Sequence, residues 1–156
     1  MENKSVVITG GSRGIGRACA VLFASKGYDV LIGYNKNMEA AEATLAEIKK
    51  YGVKCAAYCA DISKKDEARR LISKAMFEFE KVDVLVNNAG IARAALMTDV
   101  MESDFHELFA TNVGGVYFTS QAAIPEMIGA GEGKIINVSS MWGQVGASCE
   151  TLYSAT

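Results

Sequence analysis

Thr9-Gly10-Gly11-Ser12-Arg13-Gly14-Ile15-Gly16 lies between the apolar run Ser5-Val6-Val7-Ile8 and a helix-patterned stretch from Arg17 to Lys26. A strand that turns through several glycines into a helix leaves backbone N–H groups and the positive helix end uncovered by side chains. A pyrophosphate fits such a turn, so a dinucleotide site is the first expectation. A purely structural turn is the alternative, because strand-to-helix turns favour glycine for backbone reasons alone.

The remainder of the chain alternates short apolar runs with longer amphipathic stretches, the pattern of βα units feeding a parallel sheet covered on both faces. The runs predict strands over 5–9, 29–33, 54–60, 82–87 and 134–138, with helices over 14–26, 38–51, 64–80 and 103–129. Gly27 and Gly52 stand where helix C-caps belong, and Ser63 and Ser103 where N-caps belong. Pro125 falls late in the fourth helix and is expected to kink or loosen its last turn. Right-handed crossovers then give an α/β, doubly wound parallel sheet of strand order 3-2-1-4-5, with ligand over the carboxyl ends of the strands. One unit is expected to account for residues 1–156, with no linker or repeat.

Charge narrows the partners. Sixteen Lys and Arg against 18 Asp and Glu leave a net charge of −2 with no block of one sign, which argues against nucleic acid and against an anionic membrane surface. The start, Met1-Glu2-Asn3-Lys4, runs into a short strand and then glycines, too short for a signal-peptide core or a span, so a cytoplasmic protein is expected. Cys19, Cys55, Cys59 and Cys149 show no paired C-x-x-C spacing and His106 is the one histidine, so buried reduced thiols and no metal site are expected.

The tips that follow the strands carry glycine or polar residues where each apolar run stops. They are Gly10 to Gly16, Tyr34 to Lys36, Asp61-Ile62, Asn88-Ala89-Gly90-Ile91 and Ser139-Ser140. Together with Asn87, Asn112 in Thr-Asn-Val and Tyr153, in this order along the chain, they resemble the short-chain dehydrogenase/reductase family. The wording is most similar to the family's bacterial 3-oxoacyl-acyl-carrier-protein reductases.

The resemblance implies a Rossmann-type fold and roles for particular residues. Gly10, Ser12, Arg13, Gly14, Ile15 and Gly16 would shape the coenzyme's pyrophosphate turn. Asp61 would hydrogen-bond the adenine with Ile62 lying against it, although aspartate also suits a helix N-cap. Asn88, Ala89 and Gly90 would support the adenosine side, or form only a tight turn. Tyr153 would be the proton donor, Ser140 would hydrogen-bond the substrate oxygen unless it merely caps a loop, and Asn112 would support a water in the proton relay. Met141 and Trp142 would wall the substrate pocket or serve as packing.

Coenzyme choice follows from charge. An acid at the end of the second strand would accept from the ribose 2′-hydroxyl of NAD and repel a 2′-phosphate. That position is Tyr34, followed by Asn35 and Lys36, and Arg13 lies in the glycine turn, so NADP(H) is expected. The partner would be a small carbonyl or secondary-alcohol substrate, including an acyl-carrier-protein thioester. A homotetramer is expected of the complete protein.

One departure stands out. The family pattern is Tyr-x-x-x-Lys, and here Tyr153-Ser154-Ala155-Thr156 closes the sequence. The lysine and the family's C-terminal strands and helices are therefore missing, and a truncated copy or partial reading frame is expected. A cation about 4 Å from a phenol, at an effective dielectric near 20, favours the phenolate by roughly 4 kcal/mol. A non-catalytic NADP-binding fragment is thus the alternative to an active reductase. The fifth strand would also be left as an open apolar edge.

Overall fold

The structure is a computed structural model and describes residues 3–156; Met1 and Glu2, on which the leader argument partly rested, lie outside the described residues. Strands β1 (Ser5–Ile8), β2 (Asp29–Tyr34), β3 (Cys55–Cys59), β4 (Val84–Asn87) and β5 (Lys134–Asn137) alternate with helices α1 (Gly14–Ser25), α2 (Met38–Ile48), α3 (Lys65–Phe79), α4 (Glu102–Leu108) and α5 (Gly115–Ala130). Two short helices follow, α6 (Trp142–Val145) and α7 (Thr151–Ser154), which the sequence patterning did not suggest. All strand pairs are parallel and the order is β3-β2-β1-β4-β5, as expected.

Alternation along the central strands divides the core in two. Val6, Ile8, Val30, Ile32, Val84 and Val86 pack with Ala20 and Ala24 of α1 and Ala41 and Ile48 of α2. Val7, Leu31 and Leu85 point the other way, onto Leu71, Ile72 and Ala75 of α3 and Ala123 and Met127 of α5. Each buried Val, Leu, Ile or Met side chain among them contributes about 1.5–3 kcal/mol on burial. The sheet is thereby a rigid base, and every strand delivers its carboxyl end to the same rim. At the far edge β5 is open, with Ile136 44% and Val138 39% exposed.

Several local expectations are corrected. Lys64, not Ser63 or Asp61, is the N-cap of α3 and makes no side-chain capping bond. Ser63 instead donates its hydroxyl to Asp61 Oδ1 at 2.6 Å, an interaction within the turn that draws both residues away from capping. Ser103 lies inside α4, whose N-cap is Met101; there Asp104 Oδ2 accepts the Met101 N–H at 3.3 Å. The stretch after Met38 ends as α helix at Ile48 and tightens into a 3₁₀ turn before Gly52, which adopts φ 73°. Pro125 sits within α5, which runs on to Ala130. None of the four cysteines is fully buried; Cys55 is half-buried and Cys59 exposed because edge strand β3, which carries both, is only partly covered.

The single long helix expected over 103–129 is interrupted. Residues Phe109–Gly114 form a π-helical turn between α4 and α5. Such a turn carries one more residue than an α turn and often marks a functional position. Asn112 lies within it.

Candidate active site

The glycine turn is fixed from below by β4 and its following loop. Thr9, fully buried at the end of β1, accepts the N–H groups of Asn88 and Ala89 on its hydroxyl, both at 3.0 Å. Asn88 returns its side-chain amide to the carbonyls of Thr9 at 2.9 Å and Gly10 at 3.2 Å. Gly10 holds φ +65°, a conformation that favours glycine, and a Cβ on Gly16 would lie 2.3 Å from the Gly10 oxygen. Asn88 thus spends both amide hydrogens on the turn itself. Thr9 was visible in the motif, but nothing in the linear sequence showed that its hydroxyl is the acceptor for the opposite loop.

Above this base the turn is open. A Cβ on Gly14 would meet nothing within 4 Å, and the first turn of α1 contains no acidic residue. Arg13 is the N-cap with extended backbone and no side-chain capping bond, so the opening amides of α1 are not consumed by a side chain. Ser12 is half-buried, whereas Arg13 and Ile15 are exposed. An unblocked, acid-free helix start reached through glycines suits a diphosphate, and the residues present fit a dinucleotide.

At the end of β2, Tyr34 is half-buried, and Asn35 and Lys36 are exposed. Asn37 caps α2 by accepting the Ala40 N–H at 2.9 Å, and Cys59 directs its thiol to the Asn35 carbonyl at 3.0 Å. No carboxylate occurs from Tyr34 to Asn37, and among the described residues none forms an ion pair with Arg13 or Lys36.

Asp61, at the end of β3, is tied up locally. Ser63 gives it both hydroxyl and backbone N–H, at 2.6 and 3.2 Å, and Lys64 lies 3.3 Å from Oδ2. The Ser63 bond, reinforced by Lys64, holds the Asp61 carboxyl below the usual carboxylate range against an opposing push from partial burial. Ile62 is 7% exposed and faces α5, where a Cβ on Gly115 would come within 2.5 Å of its Cδ1.

The residues given catalytic roles by resemblance converge in part. Asn112 accepts the Ile91 N–H on Oδ1 and donates Nδ2 to the Ile91 carbonyl and to Thr156 Oγ1, each at 2.9 Å. The Thr156 hydroxyl donates in turn to the Tyr153 carbonyl at 2.9 Å. The π-helical turn is therefore linked to the turn of α7 that bears Tyr153. Ser140 Oγ accepts the Trp142 N–H at 3.2 Å, an ST-type turn. Among the described residues no hydrogen bond joins Ser140 to Tyr153 or Asn112, and Met141 points outward at 63% exposure while Trp142 is half-buried. Gly90 is exposed, and a Cβ on it would meet Asn112 Oδ1 at 3.3 Å. Thr156 escaped the sequence reading; its one signal was a hydroxyl one helical turn after Tyr153.

Among the described residues no group of three or more His, Cys, Asp or Glu is placed to hold a metal ion, and no helix is long and apolar enough to cross a membrane.

Known proteins resemble this chain in sequence and fold. The family model for short chain dehydrogenase matches residues 4–156. The 3-oxoacyl-acyl-carrier-protein reductase FabG of Staphylococcus epidermidis is 40% identical over 154 residues, covering 99% of this chain and 63% of the relative. FabG of Staphylococcus aureus is 41% identical over 153 residues, 98% of this chain and 62% of its own. A solved metagenomic short-chain oxidoreductase in complex with NADP superposes with a TM-score of 0.93 at 30% identity, over 99% of this chain and 70% of that one. The chain thus spans less than two thirds of the length of these curated relatives. Parallel strand order, glycine turn and family match agree, and the chain belongs to the short-chain dehydrogenase family of oxidoreductases.

Proposed function

We propose that the complete protein transfers hydride between NADP(H) and a carbonyl or secondary alcohol, most like a 3-oxoacyl-thioester reductase. The observation that carries this reading is the open, acid-free start of α1, locked from below by Asn88. The nicotinamide, when bound, supplies the hydride. The chain's own residues bind, orient and move the proton: the glycine turn receives the diphosphate, Arg13 and Lys36 receive a 2′-phosphate, and the Tyr153 hydroxyl protonates the substrate oxygen beside Ser140. Asn112 ties the loop after β4, through Ile91, to the Tyr153 turn, through Thr156, which supports a shared geometry for proton delivery. The FabG relatives support a thioester of acyl-carrier protein as substrate. Exposed Val113, Tyr117, Ile124 and Ile128 leave apolar surface that the subunit contacts of a homotetramer of the complete protein would need to cover.

Residues 1–156 span 63% of the length of the Staphylococcus epidermidis FabG relative. A second reading, coenzyme binding without turnover, applies to this span taken by itself. Fluorescence titration of the purified chain with NADPH and NADH at equal salt tests binding, and an assay with an acetoacetyl thioester tests turnover. Tighter binding of NADPH is expected, with turnover only in a polypeptide extended through the lysine. Equal or tighter binding of NADH would overturn the coenzyme assignment, and rapid turnover by residues 1–156 alone would overturn the role given to the lysine.

A further inference from the structure

Thr44 lies in the middle of α2, fully buried, with its hydroxyl 3.0 Å from the Ala40 carbonyl and 3.1 Å from the Ser12 carbonyl. The first contact is the ordinary habit of a threonine in a helix, whose hydroxyl finds the carbonyl one turn back. The second reaches across 32 residues to the glycine turn. Its acceptor belongs to the peptide that joins Ser12 to Arg13, so the bond sets the plane from which the Arg13 side chain departs.

Other contacts hold the same two pieces together at different heights. Gly11 donates its N–H to the Gly33 carbonyl at 3.0 Å and lies so close to β2 that a Cβ would meet Ile32 at 2.6 Å. On the outer surface Arg17 gives Nε and Nη2 to Glu47 Oε2, at 3.1 and 2.6 Å. The surface pair is half-exposed and contributes little. Thr44 is buried, where removing one partner of a hydrogen bond is costly. Its helix begins directly after Lys36 and Asn37, and an α-helix transmits position along its axis as a stiff rod. One hydroxyl therefore relates Arg13, on the glycine turn, to Lys36, ahead of α2.

We propose that Thr44 is a positioning residue for coenzyme discrimination: its hydroxyl holds the Ser12–Arg13 peptide against α2 so that Arg13 and Lys36 meet one 2′-phosphate together. The inference rests on the NADP(H) reading above. Because it concerns binding, it is tested on the 156-residue chain. Thr44→Val keeps the shape and removes the donor, whereas Thr44→Ser keeps the donor. NADPH and NADH are titrated separately against each variant, with folding checked by circular dichroism. Thr44→Val is expected to weaken NADPH about fivefold to tenfold, the size of one net hydrogen bond, with a much smaller change for NADH and recovery in Thr44→Ser. Loss of affinity in equal proportion for both coenzymes, or no loss, would overturn the proposal, since a packing role would not change the ratio. If Thr44→Val does not fold, Thr44→Ala carries the same comparison. A wild-type chain that prefers NADH would instead overturn the underlying coenzyme reading, an outcome visible before any variant is made.

Discussion

Gly16 lies so close beneath Asn88 that a Cβ on it would stand 2.5 Å from Asn88 Nδ2. The Asn88 amide cannot swing aside freely, because its hydrogens are committed to the carbonyls of Thr9 and Gly10. Helix α1 and the loop after β4 are thus one packed unit. A disturbance on either side reaches the other.

Gly16→Ala tests this packing. The new methyl would meet a backbone oxygen at 2.3 Å as well as Asn88, so backbone must move. Overpacking of this kind costs about 1–3 kcal/mol. We expect that loss in chemical denaturation, together with about a tenfold or greater loss of NADPH affinity, equivalent to about 1.4 kcal/mol. Unchanged affinity in a folded variant would separate the turn from the coenzyme.

Asn88→Ala removes two donors and leaves two part-buried carbonyls to find others. The expected loss is about 1–3 kcal/mol by urea unfolding. Asn88→Asp is expected to be worse near neutral pH, since a carboxylate would face the oxygens of Thr9 and Gly10, and to recover as acid protonates it. A pH-independent gap between the two variants would contradict this account.

What the linear sequence exposes and what it hides follows from the range of the interactions. Apolar runs bounded by Gly27, Gly52 and the tip residues marked all five strands to within about two residues of their observed ends; burial on both faces demands continuous hydrophobicity in β1, β2 and β4, whereas β3 and β5 are only partly covered. The π-helical turn was not readable, because its extra residue is stabilised by the pairing of Asn112 with Ile91, far away in sequence. Serines before α3 and within α4 looked like caps, but their neighbours won: Asp61 captured Ser63, and Asp104 took the Met101 N–H. At the site, the glycines and Asn88 were legible as a motif. The buried hydroxyls of Thr9 and Thr44 were not, because nothing in composition says which carbonyl or amide a threonine will meet.

Gly115→Ala probes the seat of Ile62. Alanine gains up to about 1 kcal/mol over glycine within a helix, but its methyl would lie 2.5 and 2.9 Å from the Ile62 Cδ1 and Cγ1. Ile62 is buried and β-branched, so it cannot turn away cheaply. We expect net destabilisation of about 1–2 kcal/mol, partly relieved by Ile62→Val in the double variant. A double-mutant cycle in thermal unfolding measures the coupling, and strict additivity would show that the two side chains do not compete for one space.

The turn after β3 gives the chain an acid-sensitive element whose sign can be worked out. Asp61 has its carboxyl pKa lowered, first by the Ser63 hydroxyl, and Glu67 has its own lowered, first by the Asp61 backbone N–H, which it accepts at 2.7 Å. A group whose pKa is lower in the folded state binds its proton more tightly when unfolded, so folding gains from it above the unfolded value, about 3.9 for Asp and 4.3 for Glu. That gain is constant at neutral pH and is lost as pH falls from this range through the lower folded values. Ser63→Ala removes the main support of the ionised Asp61. The difference in melting temperature between wild type and Ser63→Ala should therefore hold steady from pH 7 to about 5 and shrink below about 4. Melting curves at half-unit intervals from pH 7 to 3, at fixed ionic strength, measure it; a difference that stays constant to the acid end would mean that Ser63 acts on the turn without regard to the charge on Asp61.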